Sequence, residues 1–140
     1  MYLSGAELSW EDVPVYECPS SAAALGRTAA HALLAYDPRP TAILATSDQL
    51  ALGAIEAARE RGLSVPDDVS VAGFDGVPLA ATATPALTTV YQDHPEKGLL
   101  AGRLLAARLQ GEEAPEPDLL PARLVVRDST GRATEGRRTG

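Results

Sequence analysis

Three short apolar runs, each ended by polar residues, constrain the fold of this 140-residue chain more than any other feature. The runs are 41–46, 69–74 and 87–91, and the segment between the first two has helical periodicity. Short strands that alternate with helices predict a parallel sheet. In such sheets, ligands bind beyond the carboxyl ends of the strands. The polar residues that follow the three runs are therefore the first candidates for a binding site.

Apolar residues recur every three or four positions in three longer segments, which predicts amphipathic helices. Shorter strands and turns are expected around them. The predicted helices are 22–36, 49–61 and 95–109, and the further elements are strands at 13–17 and 119–127 and a short helix or turn at 77–84.

Composition narrows the class of protein. Apolar residues make up 45% of the chain, so a folded core is expected. The net charge is −7 and Lys97 is the only lysine, so we expect no binding of nucleic acid by this chain itself. No apolar run approaches the ~20 residues of a membrane span, and residues 1–7 do not resemble a signal peptide. These features favour a cytoplasmic protein.

The sequence contains no recognisable catalytic or metal-binding constellation. His31 and His94 lie far apart and do not have the spacing of metal ligands. A nucleophile elbow, a Walker A loop and a dinucleotide-binding glycine motif are all absent from the sequence. The single cysteine, Cys18, excludes an internal disulfide. We therefore expect neither enzymatic activity nor a cofactor.

Two phrases of the sequence resemble a known family. They are PTAILATSDQLALGAIEAARERGLSVPDDVSVAGFDG, from Pro40, and TPALTTVYQD, which ends at Asp93. Both resemble the effector domain of lactose-repressor/galactose-repressor (LacI/GalR) transcription regulators. The resemblance implies an α/β fold with the parallel three-layer sheet of the type I periplasmic-binding-protein-like domain. It also implies that the domain is incomplete here, with mostly the C-terminal lobe present.

The resemblance also implies a division of the chain. Residues 1–127 would form a partial effector-binding domain, in which 13–92 belong to the C-terminal lobe and 93–127 to the other lobe. Residues 128–140 are polar and lack periodicity, so we expect a disordered tail.

Four residues are candidates for contact with a ligand. Asp75 ends a strand beside two glycines, where a carboxylate can accept hydrogen bonds from two neighbouring hydroxyls, although a role in a turn or helix cap fits the sequence equally well. The resemblance implies that Asp75 holds a sugar and that Gln92 lies near the cleft. Ser47 replaces an asparagine that is common in the family, and Ser21 falls roughly where some members place an aromatic ring.

A small apolar patch is a candidate dimer interface. The family pairs its C-terminal lobes into two-fold dimers, which would bring together Leu52, Leu79, Ala80 and Ala83. The alternative is that these four residues pack on the sheet of their own chain.

The function implied by the resemblance is sensing of a small effector, a sugar or nucleoside, within a LacI-family transcription regulator. DNA binding would need a helix-turn-helix that these 140 residues do not include. Three alternatives remain open at this stage: a periplasmic-type sugar-binding protein, a minor enzyme on an α/β scaffold, and a truncated remnant without function.

Overall fold

A computed structural model of the chain describes residues 9, 11, 13–112 and 119–133. Four helices and four strands lie in these ranges. The helices are α1 (Ala23–Leu33), α2 (Asp48–Glu60), α3 (Pro78–Thr82) and α4 (His94–Leu109), and the strands are β1 (Ala42–Leu44), β2 (Ser70–Asp75), β3 (Thr88–Tyr91) and β4 (Arg123–Val125). Among these helices, none is both long enough and apolar enough to cross a membrane.

The four strands form one open sheet in the order β1-β2-β3-β4. β1, β2 and β3 run parallel, and β4 is antiparallel to β3. The predicted α/β fold with a parallel sheet is confirmed, with one antiparallel strand at the edge. Because β1, β2 and β3 are parallel, their carboxyl ends lie at one edge of the sheet.

Helix α2 packs against α1, β1 and β2, and two glycines allow α1 and α2 to approach closely. A Cβ atom on Gly26 would lie 2.2 Å from the carbonyl oxygen of Leu50, and one on Gly53 would lie 2.0 Å from that of Ala23. Backbone contact at this distance leaves no room for any side chain. The core is made of small and branched residues: Ala30, Leu34, Ile43, Ala51, Ala54, Ile55, Ala57, Ala58, Val69, Val71, Ala80 and Leu87.

The last part of the chain differs from the prediction that 93–127 belongs to another lobe. Strand β4 pairs with β3, with Val125 opposite Thr89, so the final strand extends this same sheet. Helix α4 behaves differently, because none of its residues is buried. The assignment of α4 to another lobe stays a prediction, whereas the placement of the final strand there is wrong.

The predicted disordered tail is also wrong at its start. Ser129 is completely buried, and its hydroxyl donates to the carbonyl of Val71 at 2.6 Å and accepts from the amide of Thr88 at 2.8 Å. Its backbone carbonyl accepts from the amide of Val71 at 2.8 Å. These bonds tie β2 to β3, so this part of the tail belongs to the sheet. Residues 134–140 lie outside the described part of the chain.

The predicted strand at 13–17 is not formed. These residues have no strand pairing, and Val15 is 73% exposed. Pro14 within the segment cannot donate to a ladder, which weakens any pairing with β1. In the described part of the chain, β1 is therefore one edge of the sheet, and β4 is the other.

Candidate functional site

The carboxyl end of β2 carries a strained turn. Asp75 has a φ of 117°, a backbone conformation that non-glycine residues rarely adopt, and Gly76 follows with a φ of 75°. A Cβ atom on Gly76 would lie 2.6 Å from the ring of Tyr91, which stands opposite Asp75 on β3. Strain of this kind is common at functional sites, where it fixes the direction of a side chain.

Asp75 and Gln92 are brought together, as the strand-end pattern predicted. The amide Nε2 of Gln92 donates to Oδ1 of Asp75 at 3.2 Å, and the backbone amide of Gln92 donates to the carbonyl of Asp75 at 3.2 Å. Within the described residues, no hydrogen bond reaches the other carboxylate oxygen, Oδ2. That oxygen can still accept a hydrogen bond from a ligand.

Two residues of α4 surround this pair. Lys97 donates from Nζ to Oε1 of Gln92 at 3.0 Å. His94 lies with Nε2 3.2 Å from the carbonyl of Asp75, and acts as the donor when that nitrogen carries the proton. The carboxylate of Asp75 therefore stands in a short polar array that β2, β3 and α4 contribute together.

Ser47 and Ser21 are not joined to this array by any hydrogen bond of the described structure. Ser47 is 6% exposed and caps α2, because its hydroxyl accepts from the amide of Leu50 at 3.3 Å. Its hydroxyl hydrogen can still be donated to a ligand. Ser21 is exposed, two residues before α1 begins. The ligand-contact roles of Ser47 and Ser21 stay predictions, as do those of Asp75 and Gln92.

Asp48 is the polar residue whose importance the sequence does not reveal. It is completely buried, and its carboxylate accepts from the amide of Val77 at 2.8 Å and from the hydroxyl of Thr89. Val77 lies two residues after Asp75, and Thr89 lies on the strand that leads to Gln92. Asp48 therefore ties the two halves of the candidate site to the start of α2.

A larger cavity lies elsewhere in the described part of the chain. A groove of about 730 Å³ runs between residues 13–18, α1 and β1, and neither Asp75 nor Gln92 lines it. Its lining is mainly apolar, which suits packing of a chain segment better than binding of a sugar. A smaller cavity of about 330 Å³ is lined by Gln92 and Lys97 together with apolar residues of α4 and 119–122. The hydrogen-bonded array around Asp75 and Gln92 is therefore the candidate site.

The candidate dimer patch is only partly on the surface. Leu79 is 51% exposed, whereas Ala80 is completely buried in the core. Leu52 is partly buried and packs against the core, and Ala83 is partly exposed. A buried alanine offers no surface to a partner, so Leu79 with parts of Leu52 and Ala83 is what such an interface could use. The interface itself stays a prediction.

Comparison with known proteins identifies relatives along most of the chain. Residues 5–130 match a family described as periplasmic binding protein-like domain. A segment of 109 residues is 48% identical to the HTH-type transcriptional regulator MalR of Streptomyces coelicolor, and covers 77% of this chain and 31% of that protein. The chain therefore spans about a third of the length of the curated relatives that it matches.

Solved structures of related proteins include two with sugars bound. A LacI family transcriptional regulator from Arthrobacter sp. FB24 in complex with lactose is 38% identical, with a TM-score of 0.68 over 79% of this chain and 42% of that one. A LacI family regulator from Lactobacillus casei with bound sucrose is 30% identical, with a TM-score of 0.68 over 78% of this chain and 41% of that one.

Proposed function

This chain belongs to the periplasmic-binding-protein-like domain family and is homologous to LacI-family regulators, and from that premise we propose that it is an effector-sensing part of such a transcription regulator. The observation that carries the proposal is the Asp75–Gln92 pair at the carboxyl end of the parallel strands. Fold likeness to a lactose complex supports it. The chain covers only part of its relatives, so the activity of a whole regulator is likewise proposed.

The proposed effector is a small polyhydroxylated molecule, a sugar or a nucleoside. Neighbouring hydroxyls on a sugar ring need acceptors and donors in fixed directions. Oδ2 of Asp75 supplies an acceptor, Nε2 of Gln92 supplies a donor, and the hydroxyl of Ser47 can donate. Ser21 would lie at the edge of the site, where a small side chain leaves room for a larger effector.

We assign the remaining parts of regulation to partners and to sequence outside these residues. DNA binding would come from a helix-turn-helix beyond the 140 residues, because the chain has a net charge of −7. The active form would be a homodimer that uses Leu79 and the exposed parts of Leu52 and Ala83. A protein with this role acts in the cytoplasm and has no enzymatic activity.

The dimer can be tested on its own. Leu79→Asp places a charge on a side chain that is 51% exposed, so the fold should tolerate it. Sedimentation analysis should show a dimer that becomes monomeric in this variant. Leu105→Asp, on a side chain of α4 that is 61% exposed, is the matched control and should leave the dimer intact. An unchanged dimer in Leu79→Asp would contradict this interface.

The effector role is tested with a chimera. This chain replaces the segment of the Arthrobacter regulator that it matches, so that the rest of the sensor is supplied by a protein known to hold lactose. Calorimetry with lactose, sucrose and a panel of other sugars and nucleosides should show binding of at least one of them. The parent regulator with lactose is the positive control. A folded chimera that binds none of these compounds would contradict the proposal.

A further inference from the structure

Lys97 is joined to Asp75 through the side chain of a third residue. Its Nζ lies 3.0 Å from Oε1 of Gln92, and Nε2 of the same amide lies 3.2 Å from Oδ1 of Asp75. Lys97 is the only lysine in the chain and stands in the first turns of α4. One carboxamide therefore bridges a cation on a helix and a carboxylate at the end of a strand.

Lys97 and Asp75 both favour the same orientation of the Gln92 amide. An ammonium group can only donate and an ionised carboxylate can only accept, so the oxygen must face Lys97 and the nitrogen must face Asp75. The reversed orientation would place the amide oxygen against the carboxylate and the NH₂ group against the ammonium. Hydrogen bonds to charged groups are stronger than neutral ones, which sharpens this choice.

We propose that Lys97 is a positioning residue of the candidate effector site. It holds the Gln92 amide with Nε2 toward Asp75, and so leaves Oδ2 of Asp75 and the second hydrogen of Nε2 for the hydroxyl groups of an effector. The inference rests on the proposed function and deepens it, because it names a residue that acts on the effector only through Gln92.

The location of Lys97 on α4 gives this bridge a further consequence. No residue of α4 is buried, so few packing contacts fix the helix against the sheet. The described polar links between α4 and the Asp75–Gln92 pair are the side-chain bonds of Lys97 and His94 and a backbone bond from the His94 amide to the Gln92 carbonyl at 3.1 Å. A shift of α4 therefore changes the orientation of Gln92, and the state of the site depends on where α4 lies.

Experiments can distinguish a positioning role of Lys97 from a surface contact without such a role. The Lys97 contact is exposed, and such contacts contribute little to stability. Removal of Lys97 should therefore leave the melting temperature unchanged in either case. Only a positioning residue also changes the environment of the Gln92 amide, and only then does a residue that preserves the donor restore it.

The amide can be observed directly by NMR of the 140-residue chain. The sequence contains three glutamines, Gln49, Gln92 and Gln110, and no asparagine, so three pairs of side-chain NH₂ signals are expected. Gln92→Leu assigns the pair of interest. Lys97→Met should move that pair toward the position of free glutamine, and Lys97→Arg should keep it near the wild-type position. Arg103→Met removes an equal charge from an exposed position on the same helix, so it should have no effect.

Titration of the chimera with lactose and sucrose adds a second readout, because the rest of the sensor is then present. Dissociation constants should be about two- to fivefold larger in Lys97→Met than in wild type, the scale of an exposed charged contact, and near wild type in Lys97→Arg. Unmoved Gln92 signals in Lys97→Met would overturn the inference even if sugars bind. Failure of the chimera without the Lys97 substitution to bind a sugar would count against the proposed function, while the amide signals of the 140-residue chain would still decide the role of Lys97.

Discussion

The carboxylate of Asp48 fills the space that a side chain at Gly73 would need, because a Cβ atom at position 73 would lie 2.4 Å from Oδ1 of Asp48. The carboxylate is completely buried and accepts from the amide of Val77 and the hydroxyl of Thr89. The Asp48 carboxylate therefore lies against β2 and binds Val77 and Thr89, which adjoin the candidate site. Only glycine at position 73 leaves the carboxylate in place.

Gly73→Ala should destabilise the fold. The added methyl group must displace Asp48 from its two donors, and overpacking of this kind costs about 1–3 kcal/mol. Urea denaturation measures the free energy of unfolding. Gly102→Ala is the matched control, because no atom lies within 4 Å of its Cβ position on α4, and alanine there should add about 0.5–1 kcal/mol of stability. Equal stability of Gly73→Ala and wild type would show that Asp48 does not occupy this position.

Ser129→Ala tests the contribution of the chain end to the sheet. The substitution removes one hydroxyl that donates to Val71 and accepts from Thr88, both inside the sheet. A buried donor and acceptor left without partners should lower the free energy of unfolding by about 1–3 kcal/mol. Ser20→Ala, at an exposed position, is the control and should change it little. If both variants unfold alike, residues near 129 do not belong to the sheet.

Glu60 lies on the surface between α1 and α2, and its contacts predict an effect that depends on pH. Hydrogen bonds from His31 at 2.8 Å and from Arg27 at 2.9 Å lower the pKa of Glu60. His31→Ala should therefore raise the pKa of Glu60, as measured by NMR titration of its carboxyl carbon. An unchanged pKa in this variant would show that the His31 contact is absent in solution.

The sign of the effect on stability follows from the same pKa. A carboxylate whose pKa is lower when folded stabilises the protein above its usual pKa, and this stabilisation is lost as pH falls through the folded pKa. The melting temperatures of wild type and Glu60→Gln should thus differ at neutral pH and converge in acid. Glu56→Gln, exposed on the same helix, is the control for the loss of one negative charge.

The elements near the site could be predicted from sequence because they follow from local patterns. Apolar runs set the strands, and parallel order then places Asp75 and Gln92 at one edge. The register agrees, since Asp75 stands opposite Tyr91, next to Gln92. The helices of the α/β pattern were found for the same reason, with ends that differ by a few residues.

The residues that hold the site together could not be predicted, because their partners lie far away in sequence. Asp48 looks like a helix cap beside Ser47, yet it bonds to residues 29 and 41 positions later. Ser129 lies in a polar segment, yet its hydroxyl bonds to Val71, 58 positions earlier. No local pattern marks such contacts. The strand predicted at 13–17 is wrong although its local pattern favours a strand. A strand also needs a neighbouring strand to pair with, and these residues have none in the described structure.

The most direct test of the central claim is the affinity of Asp75 variants for an effector. In the chimera with the Arthrobacter regulator, calorimetry compares wild type, Asp75→Asn and Asp75→Ala with each sugar or nucleoside that binds. Loss of a charged acceptor that holds sugar hydroxyls should cost roughly 1.5–3 kcal/mol, about ten- to a hundredfold in affinity. Asp67→Asn, exposed in the turn before β2, is the control and should bind as wild type does. The account predicts weaker binding in both Asp75 variants, and equal affinity in all of these proteins would contradict it.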